Sequence, residues 1–242
     1  MSDALTARQT QILKALIDEY IETALAVGSE NLEKKYNLGV SSATVRNEMV
    51  NLTKIGYLKQ PHTSAGRVPT PKAMKFYISQ LMEEREMSLA DEVKTKEDVW
   101  DFRKNLDKLM EEATQALTER TGSLSVSALD DGRTWHAGLS RIFDNPEFAD
   151  LSICSSLFSF IDETQRLSDL FFSRAVWQSS VEVLFGEDLG LPEFEPLGIV
   201  ATKFRAMGHT GALGVIGPVR LHYQNVIPVL RYFGNLLEEV TK

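Results

Sequence analysis

The sequence predicts an α+β protein in which an N-terminal winged helix-turn-helix leads through a connecting helix into a C-terminal mixed α+β domain. Three observations predict this. Helical periodicity punctuated by cap residues runs as far as Gly56 and then gives way to short extended segments around Thr63-Ser64-Ala65-Gly66. A polar stretch of helical period follows over 90–120. Beyond it, alternating and β-rich segments are interleaved with helical ones, the pattern of a mixed layer architecture.

Taken in order, Thr6 caps a helix over 7–24, in which Ile12, Leu13, Leu16, Ile17, Tyr20 and Ile21 recur at three-to-four spacing. Gly28-Ser29 stops it and caps a short second helix that carries Leu32 and Tyr36 inward. Asn37-Leu38-Gly39 breaks that helix. Ser41 or Ser42 caps a third, which ends at Gly56, where a left-handed residue is expected. Two helices joined by a short Gly-containing turn, the second opening on small polar residues, form the helix-turn-helix pattern. YLKQPH and RVPT then flank a turn and make the two strands of a wing, and Pro71 opens a helix over roughly 71–85. The first domain is thus expected over 1–85.

A connecting helix is expected over 86–121. Its apolar seam of Phe102, Leu106, Leu109, Ala113 and Leu117, flanked by charges, suits either pairing across a dimer interface or packing on its own domain. The last domain, 122–242, should contain a strand at 123–129, a turn at Asn145-Pro146 and a helix over 151–174. The strands VEVLFG, PLGIVATKF and ALGVIG follow, with a final helix from Tyr223 to Val240.

With 43% hydrophobic and 25% charged residues among 242, wholesale disorder is excluded. No apolar run approaches the roughly 20 residues that span a bilayer, and the N-terminus lacks the pattern of a signal peptide, so a cytoplasmic protein is expected. Cys154 is the single cysteine and is expected to be a buried small apolar residue. The net charge of -8 conceals an asymmetry. Residues 1–82 carry ten basic and seven acidic side chains, whereas 83–242 carry sixteen and twenty-seven. From Met49 to Met82 there are five basic and no acidic residues, which is a local electrostatic footprint for a polyanion.

The third helix gives that footprint a face. With Val45, Met49, Leu52 and Gly56 turned inward, Ala43, Asn47, Val50 and Lys54 lie outward, flanked by Thr44 and Arg46. Asn pairs bidentately with adenine and Arg with guanine, small residues allow close approach, and Ser41 or Ser42 at the helix start suits a phosphate oxygen. In the wing, Lys59, His62, Thr63, Ser64 and Arg67 suit a phosphate backbone or a minor groove, Arg67 foremost. The competing reading is a solvated face on a winged-helix module that binds a protein partner, with a second domain that takes a ligand or partner.

Catalysis has no foothold. The triplet Gly211, Gly214 and Gly217 fits neither a P-loop nor a dinucleotide fingerprint and is read as tight packing. His62, His136, His209 and His222 lack metal-ligand spacing, no GxSxG elbow occurs, and Glu182, Glu187 and Asp188 sit in a polar turn without a partner pattern. Neither a catalytic residue, a metal nor a cofactor is expected.

Three stretches resemble the HrcA family of heat-inducible transcription repressors: VGSENLEKKYNLGVSSATVRNEMVNLTKIGYLKQPHTSAGRVPT (27–70), GLSRIFDNPEFAD (138–150) and GALGVIGPVRLHYQNVI (211–227). The resemblance implies a GAF-like second domain and a homodimer bound to double-stranded DNA at an inverted-repeat operator of the CIRCE type upstream of chaperone genes. It also implies relief of repression by heat and assistance from the chaperonin GroEL. Family members are longer and carry an inserted dimerisation segment. Only about fifteen residues separate Ser123 from Gly138, so this chain resembles a shortened member without that segment.

Overall fold

The computed structural model describes residues 5–172, 179–189 and 194–242. The chain divides into two units, Met1–Glu83 and Glu84–Lys242.

In the first unit, α1 (Ala7–Thr23) opens with a capping box. Thr6 accepts from the Gln9 amide while the Gln9 side chain accepts from the Thr6 amide, so two of the orphan donors of the first turn are satisfied. Its stripe of Ile12, Leu13, Leu16 and Ile17 is at most 1% exposed. Helix α2 (Ser29–Lys35) and helix α3 (Ser42–Lys54) pack against it through Leu32, Val45, Met49 and Leu52. Gly56 takes the left-handed conformation (φ +80°) that lets the chain leave α3 sharply. A two-residue antiparallel pair follows, β1 (Leu58–Lys59) with β2 (Val68–Pro69), in the register Leu58↔Pro69. Thr70 caps α4 (Pro71–Phe76), with proline in its first turn, and the backbone continues as a single π-helical turn over Tyr77–Leu81. The helix expected to reach residue 85 therefore changes form at Tyr77, whose hydroxyl donates to Asp18 on α1 at 2.7 Å, and stops at Leu81.

In the second unit, the helix expected over 86–121 is two: α5 (Leu89–Trp100) and α6 (Leu106–Thr121). Asn105, in an extended conformation, caps α6 by accepting from the Lys108 amide, so a local polar group starts a new helix after α5 has ended at Trp100. Nor does α6 act as a connector. Leu109, Met110, Ala113 and Leu117 are 0% exposed, because α6 lies on the sheet beside the C-terminal helix. Of the expected seam, Leu109, Ala113 and Leu117 are core and Phe102 and Leu106 half-buried, which decides for packing within its own unit.

Strand β3 (Leu124–Leu129) pairs with β4 (Thr134–Ala137), and two 3-10 turns, Leu139–Asp144 and Pro146–Ala149, precede α7 (Leu151–Asp162) and α8 (Thr164–Phe172). The single helix expected over 151–174 is thus broken at Glu163, and its last two positions fall outside the described residues. Then come β5 (Val181–Phe185), the short α9 (Gly186–Leu189), β6 (Leu197–Ala206), β7 (His209–Pro218) and α10 (Tyr223–Val240). Glu182 lies within β5 rather than in a turn, and Asp188 in α9 accepts from the Phe185 amide at 2.9 Å. The sheet runs β4-β3-β7-β6-β5, antiparallel at each pairing.

Alternation along the strands gives this sheet two covered faces. Val126, Ala201, Ala212 and Ile216 meet Leu157, Phe160 and Phe171 of α7 and α8 on one side. Ser127 and Thr202 face α6 and α10 on the other, where the Ser127 hydroxyl shares a 2.6 Å hydrogen bond with Thr114 of α6. The glycine triplet serves this packing. A Cβ at Gly214 would meet the Phe171 ring at 3.1 Å, one at Gly211 the Phe204 ring at 2.2 Å, and one at Gly217 the Leu221 side chain at 2.5 Å. Cys154 is buried and donates to the Phe148 carbonyl at 3.2 Å, and burial pushes its thiol up.

Candidate nucleic-acid interface

The N-terminus of α3 is set by Ser41, whose hydroxyl accepts from the Thr44 amide at 3.4 Å and lies 3.2 Å from the Thr44 hydroxyl. Burial of Val45, Met49 and Leu52 orients the helix, and Ala43, Arg46, Asn47 and Lys54 are exposed on the other side, with Ser42, Thr44 and Val50 half-buried. Glu48 is the one acidic residue of α3, and its carboxylate is turned away from that stripe. It accepts from Gln9 at 3.2 Å and Asn51 at 3.4 Å, with Arg8 at 3.9 Å. The carboxylate is thereby held toward α1, and the exposed charged side chains of the outward stripe, Arg46 and Lys54, are both basic.

The hairpin beside α3 has a buried base and an exposed tip. Leu58, Val68 and Pro69 are buried, whereas Lys59 to Ser64 are exposed. The tip is closed by a residue that sequence reasoning passed over: Gln60 donates through Nε2 to the carbonyls of Thr63 at 2.9 Å and Ala65 at 3.0 Å. A glutamine before a turn carries no local signal for this, because both acceptors are supplied by the folded loop. The ring of His62 lies 3.3 Å from the Ser64 hydroxyl. At the other end of the hairpin, Thr70 donates to the carbonyls of Gly56 at 2.7 Å and Tyr57 at 3.1 Å. Lys72 donates to the Ile55 carbonyl at 2.9 Å with its ammonium 4.4 Å over the Tyr57 ring, so this cation caps the end of α3.

Arg67 sits at the hairpin base, half-buried. Its backbone exchanges two 2.9 Å hydrogen bonds with Val27, its Nε donates to the Thr53 hydroxyl at 3.1 Å, and its Nη1 reaches the Gly66 carbonyl at 3.4 Å. Gly66 cannot be larger there, since a Cβ would lie 2.3 Å from the Val27 carbonyl oxygen. The predicted residues are therefore brought together in two groups: Ser41, Ser42, Ala43, Thr44, Arg46, Asn47 and Lys54 along α3, and Lys59, His62, Thr63 and Ser64 at the hairpin tip, with Arg67 between tip and helix.

Behind this surface, α2 is braced to α1 by Glu19, 4% exposed, which accepts from Asn31 at 3.0 Å and Tyr36 at 3.2 Å and pairs with Lys35 at 2.5 Å. Burial pushes the Glu19 carboxyl up, but the hydrogen bonds from Lys35, Asn31 and Tyr36 outweigh it and hold the group below the ordinary carboxylate value. Burial and the adjacent Glu19 charge push the Tyr36 hydroxyl well up.

Among the described residues, no group of three or more His, Cys, Asp or Glu is placed to hold a metal ion, and no helix is long and apolar enough to cross a membrane. The sequence profile described as the HrcA protein C terminal domain matches residues 38–227. The heat-inducible transcription repressor HrcA of Symbiobacterium thermophilum is 25% identical over 336 aligned positions, covering 97% of this chain and 98% of that protein. That alignment is longer than the 242 residues of this chain, so the relative carries stretches with no counterpart here. The corresponding repressor of Acetivibrio thermocellus is 42% identical over 128 residues, 52% of this chain and 36% of that protein. A crystal structure of a hypothetical protein at 2.2 Å resolution matches 98% of this chain and 99% of its own with a TM-score of 0.75 and 19% identity, which shows a shared fold. With most of its length matched by the profile, the chain belongs to the HrcA family, a family of transcription repressors and not of enzymes.

Proposed function

We propose that this chain is a heat-inducible transcription repressor whose first unit is a winged helix-turn-helix that reads an inverted-repeat, CIRCE-type operator. Helix α3 enters the major groove, where Asn47 and Arg46 meet base edges and Ser41, Ser42, Ala43 and Thr44 allow close approach at the helix start. Lys54 and the wing residues Lys59, His62, Thr63 and Ser64 meet the phosphate backbone. A lone winged helix makes too few base contacts to find one site in a genome, so the repressor acts as a symmetric dimer on two half-sites. The α6 seam is core, so the subunits meet on another surface. The second unit, a reduced GAF-like domain, holds the dimer and receives the inducing signal, and GroEL belongs to the same proposal as the assisting chaperonin.

The observation that carries this reading is the exposed stripe of Ala43, Arg46, Asn47 and Lys54 beside a basic hairpin, with the acidic Glu48 turned off that face. Fluorescence anisotropy with a duplex carrying the inverted repeat, and with a scrambled duplex, tests it at several salt concentrations. The operator should be preferred by about 10³-fold or more at physiological salt, with two chains per duplex. Equal affinity for both duplexes would sink the proposal and favour the protein-interaction module.

A further inference from the structure

The hairpin is fastened to α3 by a side-chain hydrogen bond that commits the Nε of Arg67 to the protein itself. Thr53, half-buried on α3, gives its hydroxyl proton to the Met49 carbonyl at 2.8 Å. That leaves the oxygen's lone pairs for the Arg67 Nε at 3.1 Å. The Arg67 backbone is pinned on its other side by the paired bonds to Val27, and Gly66 closes the gap to the same strand of backbone. The wing thus rests on two members at once, α3 through Thr53 and the chain entering α2 through Val27.

With the Arg67 Nε committed to Thr53 and its backbone to Val27, we infer that Arg67 and Thr53 are positioning residues that set the wing's distance and angle to α3, and that Arg67 serves binding through this clamp rather than through a phosphate. The inference rests on the DNA-binding reading and deepens it. A major-groove helix and a backbone-gripping wing must engage one duplex together, so a wing that swings freely loses the sum of the two contacts without losing either charge. Thr53 carries no cue of its own in the sequence. It stands on the flank of an ordinary helical pattern, and its partner lies fourteen residues on.

The experiment compares Thr53→Val, Thr53→Ser, Arg67→Ala and the double variant Thr53→Val/Arg67→Ala with the unaltered chain. For positioning, Thr53→Val and Arg67→Ala each weaken binding to a duplex carrying the inverted repeat by about tenfold, and the double variant is no weaker than either single one. Random-sequence duplex binds as before, the dependence of log affinity on log salt keeps its slope, and Thr53→Ser, which retains the hydroxyl, restores operator binding. A phosphate contact predicts the reverse: Arg67→Ala weakens both duplexes alike and lowers the slope by about one, while Thr53→Val is silent. That outcome overturns the inference. Hydrogen exchange on the free protein keeps it separate from the DNA-binding reading. The amides of Val27 and Arg67 should exchange at least several-fold faster in Thr53→Val, and unchanged exchange there refutes the clamp whether or not the chain prefers an operator.

Discussion

Arg220 holds Glu147 across 73 residues of chain, its Nε 2.6 Å from one carboxylate oxygen and its Nη2 3.2 Å from the other, while Nη2 also lies 3.2 Å from the Asn145 side-chain oxygen. Both side chains are largely enclosed, at 11% and 17% exposure. The pair joins two of the stretches that resemble the repressor family, 138–150 and 211–227. Their shared part in the fold is to fasten the 3-10 turns before α7 to the loop that enters α10.

Because removing one partner leaves the other charge enclosed and unpaired, Glu147→Ala should destabilise the protein by about 2–4 kcal/mol, toward the low side for a buried pair since some solvent access remains. The double variant Glu147→Ala/Arg220→Ala should be less unstable than the two single losses added together. Urea unfolding followed by tryptophan fluorescence measures this. A loss under about 0.5 kcal/mol would put the pair among ordinary surface bridges.

Leu109 on α6 is 0% exposed and part of the core beneath the sheet. Leu109→Ala should cost about 2–5 kcal/mol by leaving a cavity, and Leu106→Glu with Leu109→Glu should abolish cooperative folding. Circular dichroism during thermal melting gives the answer. A folded monomer from the glutamate variant would mean that this seam joins subunits after all.

Arg46 and Asn47 stand exposed on α3, where the proposed reading brings them to base edges. Arg46→Ala and Asn47→Ala should each weaken operator binding by about 1–3 kcal/mol while leaving random-duplex binding nearly unchanged. On the same reading, Lys59→Ala in the hairpin should weaken both duplexes and flatten the salt slope by about one. Anisotropy titrations between low and physiological salt separate the two classes, and identical losses on both duplexes for Asn47→Ala would assign it to the backbone.

Glu19 titrates below the ordinary carboxylate value in the folded state because Lys35, Asn31 and Tyr36 favour its charged form over the opposing effect of burial. A carboxylate depressed on folding contributes stability that is fully present above its unfolded value of about 4.5 and is lost as pH falls through the lower folded value. The α1–α2 brace should therefore weaken below about pH 4.5, and Glu19→Gln should lower stability at pH 7 while making it flatter across that acid window. Hydrogen exchange of α2 amides between pH 3 and pH 7, corrected for intrinsic rates, tests this. An acid response of Glu19→Gln equal to that of the unaltered chain would remove Glu19 as its source.

What the sequence determined by itself is local in origin. A 3.6-residue period placed α1, α3 and α10, the hydroxyls of Thr6 and of Ser41 or Ser42 marked helix starts, Gly56 marked an end, and the turn residues 63–66 marked a hairpin. Each of those signals acts over a few residues, so it can be read without knowing what the segment packs against. The outward stripe of α3 was legible for the same reason, since one inward face fixes the opposite one. Tertiary structure alone decided that the Leu109–Ala113–Leu117 seam is core and that Glu48 turns from the stripe. It also decided that Arg67 bonds Thr53 and that Arg220 holds Glu147. An apolar seam carries the same pattern whether it meets its own sheet or another subunit, and a guanidinium takes whichever acceptor the fold sets within about 3 Å of it. The burial of a repeating face and the partner of a long cation are properties of the surroundings that folding brings to them.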